Sequence, residues 1–437
     1  MNRRGMTLVE MLVAMTATLI LMAAVTQVFA VFGQAVSASR SMLNTDAKLR
    51  LVAWRLREDL AGATAQTLPP RNPAAGEGYF EVIEGPLLDS ASTSGTIGPA
   101  DCDDVLLFTA RAAGEPFLGR ATTGKSLQST EAEIAWFARR DNPLPNDPII
   151  TYTLYRRQLL IVGYVGSGSF STTNVSGTTT WSDFYSQYDL SVRRDNARFV
   201  PNTLSDLTRR ECRFLHNETG TFPFAFVSPH TTGSFNGLTQ SGDREGEDVI
   251  LTNVLAFDVR VFDPGLPLGQ SASGDLATVP TDNSYNPANS VARGGYVDLG
   301  HSPNTPVVAT TGTVTWPHFR GPGQQKSGLA NGSAYVYDTG SLHYEANGIR
   351  ENPAAANPDE GTDGIDNDRD GKIDEPPIDL NGDGDFTDVS AGEDTGEMES
   401  SAPYPYPLRG IEIRIRCLDP DSRQVRQVTV RHTFVPH

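Results

Sequence analysis

Hydrophobic positions in this chain fall into three regimes. From Met6 to about Phe32 they are nearly continuous, and Glu10 is the single charge among them. About 20 residues rising ~1.5 Å each cross a hydrocarbon layer of ~30 Å, and Met11 to Val31 supplies 21 uncharged positions. The spacing therefore predicts a membrane-spanning helix, with Arg3 and Arg4 kept on the cytoplasmic side and the rest of the chain outside. In the second regime Leu49, Val52, Leu56, Leu60 and Ala63 recur at intervals of three and four. That period predicts an amphipathic continuation of the helix, one stripe packed on a globular body. Arg50, Arg55, Arg57, Glu58 and Asp59 fall largely on other faces, and Gly62 followed by Pro69-Pro70 marks the end.

Beyond residue 70 the apolar residues occur in short runs bounded by Gly, Pro, Asn and Asp, which reads as strands and turns. The runs are Tyr79 to Glu84, Asp104 to Ala110, Glu133 to Arg139, Ile149 to Arg156, Gln158 to Tyr164, Asp248 to Asn253, Leu255 to Phe262, Leu408 to Leu418 and Val425 to Val435. Two of them alternate strictly. Ile411, Ile413, Ile415 and Cys417 share a face against Glu412, Arg414 and Arg416, and Val428, Val430, His432 and Phe434 do the same. Asp419-Pro420-Asp421-Ser422 between them suits a hairpin turn. Stretches at about 165–247, 265–335 and 345–405 are rich in Gly, Ser, Thr, Asn and Pro and read as insertions, expected as surface loops or partly disordered segments. The expected architecture is α+β: a long N-terminal helix (6–62, of which 6–32 spans the membrane and 33–62 is amphipathic) packed on an antiparallel sheet domain, 63–437.

Composition sharpens this in two places. The net charge of −18 is concentrated, since residues 351 to 400 hold 17 acidic and two basic residues, or −15, which leaves −3 for everything else. With no basic footprint for phosphate backbones, no nucleic-acid partner is expected. The three cysteines, Cys102, Cys212 and Cys417, are too few for a disulfide framework and too widely spaced for a CxxC motif. Cys102 and Cys212 could pair in an oxidising compartment, whereas Cys417 lies on an apolar strand face; spacing leaves the pairing open.

Within the acidic block, Asp366-Asn367-Asp368-Arg369-Asp370-Gly371-Lys372-Ile373-Asp374 has the first nine positions of an EF-hand-like loop. Asp366, Asp368, Asp370 and Asp374, with the Lys372 backbone carbonyl, would supply hard oxygen ligands for Ca²⁺, and Gly371 the sharp turn. Asp379, Asn381, Asp383 and Asp385 repeat the scheme before Phe386. Both runs lack the bidentate Glu at position 12, where Pro377 and Ser390 stand, so modest affinity is expected. The competing expectation is a solvated acidic loop.

A buried carboxylate in the membrane segment needs a cation, because an unpaired charge there costs ~2.5–3.5 kcal/mol on insertion scales. Arg3-Arg4-Gly5 followed by Met6-Thr7-Leu8-Val9-Glu10 resembles the class III leader of type IV pilins and type II secretion pseudopilins. The resemblance implies a leader of residues 1–5, cleavage after Gly5 by a prepilin peptidase, methylation of the new N-terminal Met6, and retention of Glu10 for assembly. Met6 departs from the commoner Phe at that position. The liberated ammonium of one subunit would then neutralise Glu10 of the next. An ordinary signal peptide cut near Ala30 or Ala35 is the alternative, but the apolar run exceeds the usual 7–15 residue core and contains Glu10.

The order of segments narrows the resemblance. Arg55 to Leu60, Asp104 to Thr109, the paired strands around Tyr152 and Leu159, Leu251 to Val261 and the closing Arg409 to Val435 hairpin look like the J class of minor pseudopilins, with a PilW-like minor pilin of a type IV pilus close to it. What this implies is a pilin-like fold and a structural, non-enzymatic subunit of a pseudopilus. It would stand in the bacterial inner membrane with its globular domain in the periplasm or outside the cell. The implied partners are the prepilin peptidase and the I-, K-, H- and G-class pseudopilins. A secreted, calcium-stabilised binding protein is the reading from another class. Gly119 to Ser126 also satisfies GxxxxGK[ST], a phosphate-cradling pattern, but neither a buried strand leading into it nor a helix after it is indicated. The histidines form no HExxH pair and no GxSxG elbow is present.

Overall fold

The computed structural model describes residues 7–67, 75–84, 101–122, 125–141, 149–162, 184–185, 188–195, 198–208, 212–217, 225–226, 244–269, 290–299, 307–309, 312–314, 335–339 and 408–434. Helix α1, Leu8–Ala61, is one unbroken element of 54 residues, about 80 Å long at ~1.5 Å per residue. The strands are β1 (Phe80–Glu84), β2 (Val105–Arg111), β3 (Phe117–Thr122), β4 (Lys125–Ser129), β5 (Glu131–Arg140), β6 (Tyr152–Leu160), β7 (Val192–Asp195), β8 (Arg198–Pro201) and β9 (His216–Asn217). They continue with β10 (Ala225–Phe226), β11 (Val249–Gly269), β12 (Ser290–Val297), β13 (Val307–Ala309), β14 (Gly312–Val314), β15 (Tyr335–Asp338), β16 (Gly410–Leu418) and β17 (Val425–Thr433).

One antiparallel sheet dominates, in the order β15-β1-β2-β5-β6-β11-β16-β17, with β12 also paired to β11. Val254 of β11 faces both Tyr152 and Cys417, and Val261 faces both Val297 and Ile411. β6 and β12 therefore follow one another along one edge of β11, while β16 occupies the other. Between them the segment before β2 completes that edge: the Phe257 N–H donates to the Asp101 carbonyl at 2.9 Å and the Val259 N–H to Asp104 Oδ2 at 2.6 Å.

Only the C-terminal part of α1 docks. Leu49, Val52, Ala53, Leu56 and Leu60 enter one core with Phe80, Leu106, Phe108, Ile134, Trp136, Val259 and the Ile411, Ile413, Ile415 row. Leu49, Val52, Leu56 and Leu60 are the stripe predicted by the spacing of three and four, with Ala63 only partly buried beside it, and each of those four side chains contributes about 1.5–3 kcal/mol by leaving water. The helix stops at Gly62, whose N–H caps Glu58 and Asp59 carbonyls and whose own carbonyl accepts from the Arg111 N–H at 2.7 Å. Glycine is required there because a Cβ would meet the Arg111 carbonyl oxygen at 2.5 Å.

The opposite face of the sheet is covered too. Ile83, Val105, Leu107, Ala135, Phe137 and Leu159 pack with Phe184, Tyr185, Leu190, Val192, Phe199, Leu207 and Phe214. The described residues between 184 and 217 are thus not surface loops, as expected from composition, but a second layer over the sheet, while Glu245 to Glu247 are exposed. Burial on both sides explains why β1 and β2 show no polar alternation.

Two breaks expected from the sequence are absent. Ile149 to Arg156 and Gln158 to Tyr164 are not paired strands but the single strand β6, which pairs with β5 and β11. Asp248 to Asn253 and Leu255 to Phe262 likewise join in β11, where Asn253 takes a positive φ of 58° and the register shifts. The closing hairpin is as expected, with Ile411 facing His432 through to Leu418 facing Val425 and the Asp419 N–H bonded to the Gln424 carbonyl. The architecture is α+β and pilin-like: a long N-terminal apolar helix seated on an antiparallel sheet domain.

Candidate functional site

The exposed end of α1 is defined by Thr7 and Glu10. Thr7 is the N-cap, its hydroxyl accepting from the Glu10 N–H at 3.3 Å while Glu10 Oε2 accepts from the Thr7 N–H at 2.9 Å and the Thr7 hydroxyl at 3.0 Å. This reciprocal box satisfies donors that a helix start leaves without partners. It also holds the Glu10 carboxylate against its own helix. Gly5 and Met6 lie outside the described residues.

From Leu8 to Phe32 the large apolar side chains are bare, each between 47% and 80% exposed. Water would not tolerate such a surface on a stable monomer. The helix is long and apolar enough to cross a membrane. Its few hydroxyls are already satisfied within it: Thr18 donates to the Ala14 carbonyl at 2.7 Å and Thr16 to the Val13 carbonyl at 2.9 Å, as backbone-bonded hydroxyls do in lipid.

At the other end of α1 two polar anchors fix the body to the helix. Asp59 is buried beside the Leu56 stripe and accepts from Trp136 Nε1 at 3.0 Å and from Arg156 Nε and Nη2 at 2.6 and 2.8 Å. Asp59 does not lie on the polar side of the helix, as its charge led the sequence reading to expect. Its position, three after Leu56 and four before Ala63, was the available signal. Further up, Ser41 and Thr45 donate to the Asp419 carboxylate at 2.8 and 3.1 Å, tying the final hairpin turn to α1. Burial pushes Asp419 up, but the Ser422 N–H, the Ser41 and Thr45 hydroxyls and the Asp421 N–H outweigh it and bring it down to about 2.

The remaining sequence candidates separate cleanly. Asp366, Asp368, Asp370, Lys372, Asp374, Asp379, Asn381, Asp383 and Asp385 lie outside the described residues. The GxxxxGK[ST] stretch falls in the β3–β4 hairpin, where Gly119 faces Leu127 and Arg120 faces Ser126. A strand, not a helix, follows it, so the helix N-terminus that cradles phosphate is missing at this place. Cys102, Cys212 and Cys417 are all buried and none is disulfide-bonded, so the Cys102–Cys212 bridge left open above is not formed. His432 sits half-buried, edge-on to Phe434, with its ring centroid 4.9 Å away, and burial lowers its pKa.

Sequence reasoning missed the charged groups buried in the second layer. Arg213 bridges Glu81 and Asp338, each at 2.9 Å, and lies over the Tyr79 ring. Glu133 accepts from the Tyr79 hydroxyl at 2.6 Å, Ser191 at 2.7 Å and the Phe214 N–H at 2.9 Å; burial nevertheless raises its pKa. These bonds sew the 184–217 segments onto the sheet, because none of the groups can be left unpaired in an apolar layer.

Residues 1–26 match the family model described as the prokaryotic N-terminal methylation motif. The match covers Gly5, Met6 and Glu10 together with most of the bare apolar helix. No curated protein and no solved structure gives a match to the chain. Motif, helix and fold together define a membrane-anchored protein with a type IV pilin-like N-terminus. A single N-terminal helix provides the anchor.

Proposed function

We propose that the chain is a minor pseudopilin, a structural subunit that initiates or caps a short type II secretion pseudopilus and has no enzymatic role. The observation that carries this is the placement of Glu10: a carboxylate inside the methylation-motif segment, at the tip of an otherwise bare lipid-length helix. Prepilin peptidase would cut between Gly5 and Met6, and the Met6 amine would be methylated. That ammonium, offered to a neighbour's Glu10, supplies the cation that a carboxylate in hydrocarbon requires. The Thr7–Glu10 box holds the carboxylate on its own helix until the neighbour arrives. The sheet domain would then stand in the periplasm above the inner membrane, among I-, K-, H- and G-class subunits. A head thickened by a second layer suits a tip position, where bulk meets no neighbour above it.

A minor pilin of a type IV pilus shares every one of these features and differs in the partners recovered. Mass analysis of the protein purified from its host tests the reading at its root. A first residue of N-methyl-Met6 is expected; retention of residues 1–5, or a start in the thirties as a signal peptidase would leave, overturns it. Cross-linking to pseudopilins rather than to pilus subunits separates the two systems.

A further inference from the structure

Where β11 loses β6 and has not yet gained β12, carboxylates crowd into a space closed to water. Glu84 ends β1, Asp101, Asp103 and Asp104 lead into β2, Asp258 lies on β11, and Asp298 follows β12; all six are 6% exposed or less. Arg260 lies 3.0 Å from Asp258 and 3.1 Å from Asp298. Glu84, Asp101 and Asp104 each turn an oxygen toward a common point, and those oxygens lie within 4.8 Å of one another.

The independent observation is what these groups lack. Asp101 is fully buried, yet among the described residues no N–H or hydroxyl donates to either of its carboxylate oxygens or to Glu84 Oε1; the polar neighbour of Asp101 is another carboxyl, Asp103. A buried carboxylate without a partner costs several kcal/mol, so something must neutralise it. Protons are one answer: burial and the neighbouring Asp104 and Asp103 push Asp101 up to about 12, and burial with Asp104 and Asp298 raises Glu84. Geometry supplies the other answer: Glu84 Oε2 and Asp104 Oδ2 accept from the Leu299 and Val259 N–H groups at 3.0 and 2.6 Å, so backbone donors fix both carboxylates in place around Asp101.

We propose that Glu84, Asp101 and Asp104 bind a divalent cation of the calcium type at the seam between β1, β2 and β11. Oxygens held ~2.3–2.6 Å from one ion are at most about 5 Å apart, the spread seen here, and an all-carboxylate set of hard oxygens suits Ca²⁺. The ion joins three chain segments far apart in sequence and so belongs to the folded body. It is separate from the 366–385 loops and does not depend on the pseudopilin reading.

The test is thermal unfolding of the full chain in detergent, stripped with EGTA and then given excess CaCl₂. A loop variant (Asp366→Asn, Asp370→Asn, Asp379→Asn, Asp383→Asn) removes the other acidic candidates. In it, calcium at about 100 times its Kd should still raise Tm by roughly 5–10 °C. Adding Asp101→Asn should abolish the rise while leaving the EGTA-treated Tm equal or higher, because a buried charge is gone. If Asp101→Asn does not fold, Glu84→Gln replaces it. If neither folds, metal analysis of the desalted loop variant decides, with one calcium per chain expected. The proposal is overturned by a loop variant that shows no calcium-dependent rise, by a rise that survives Asp101→Asn, or by a desalted protein without metal.

Discussion

Asp59, in the last turn of α1, and Arg156, in the middle of β6, form a two-pronged ion pair at 2.6 and 2.8 Å, and both are almost fully buried. Trp136 adds a third donor to the same carboxylate. The pair is the polar rivet of an otherwise apolar contact between helix and sheet. Removing one partner strands the other in the core. Asp59→Ala should therefore destabilise the body by about 3–5 kcal/mol. Urea unfolding of the solubilised chain, followed by tryptophan fluorescence, measures this; a loss under 1 kcal/mol would mean that Arg156 finds water instead.

The second anchor carries a pH signature. Asp419 titrates near 3.9 in an unfolded chain and at about 2 in the fold. A lowered carboxyl stabilises the ionised fold, so its contribution is complete above about pH 4 and fades as pH falls through 2. Asp419→Asn should lower Tm at pH 5 and converge on the parent as the pH approaches 2. Taking the difference between the two curves removes the buried acids such as Glu133, whose raised pKa acts in the opposite direction.

Among the described residues the Glu10 carboxylate bonds to Thr7 and to no group of the body. Glu10→Ala should therefore leave membrane insertion and body stability unchanged, within about 0.5 kcal/mol. Recruitment of the variant into cross-linked complexes with other subunits should fall at least tenfold. Normal recruitment would show that the carboxylate serves only the helix cap.

Gly78 holds a φ of +75°, and a Cβ there would collide with the Thr109 side chain. Thr109 cannot step aside, since its hydroxyl is bonded to Thr64 and to the Tyr79 N–H. Gly78→Ala combines backbone strain with overpacking and should cost about 2–4 kcal/mol. A Tm within 2 °C of the parent would contradict this.

What the sequence disclosed follows from where polarity and burial agree. The stripe Leu49 to Leu60 and the rows Ile411 to Cys417 were legible because apolar side chains face a core on one side and polar ones face away. β6 was not, since Arg156-Arg157-Gln158 looks like a turn. In the fold Arg156 points to Asp59 on the helix side, and Arg157 reaches Asp189 and Asp248 at 2.9 and 3.0 Å on the other. Charge pairs supplied by distant segments make a charged stretch a core strand, and no local pattern announces a partner 97 residues away. The Asp101 seam was hidden for the same reason, its members spread from Glu84 to Asp298. Glu10 stood out because its surroundings are uniformly apolar.

α1 runs from Thr7 to Gly62 without proline or break, while its last turns are riveted to the sheet and its first ones are grasped by lipid. Such a shaft transmits torque as well as thrust. In the proposed filament, a neighbour that seats the base would also set the bearing of the head, so a single grip at the foot would decide which flank the head shows.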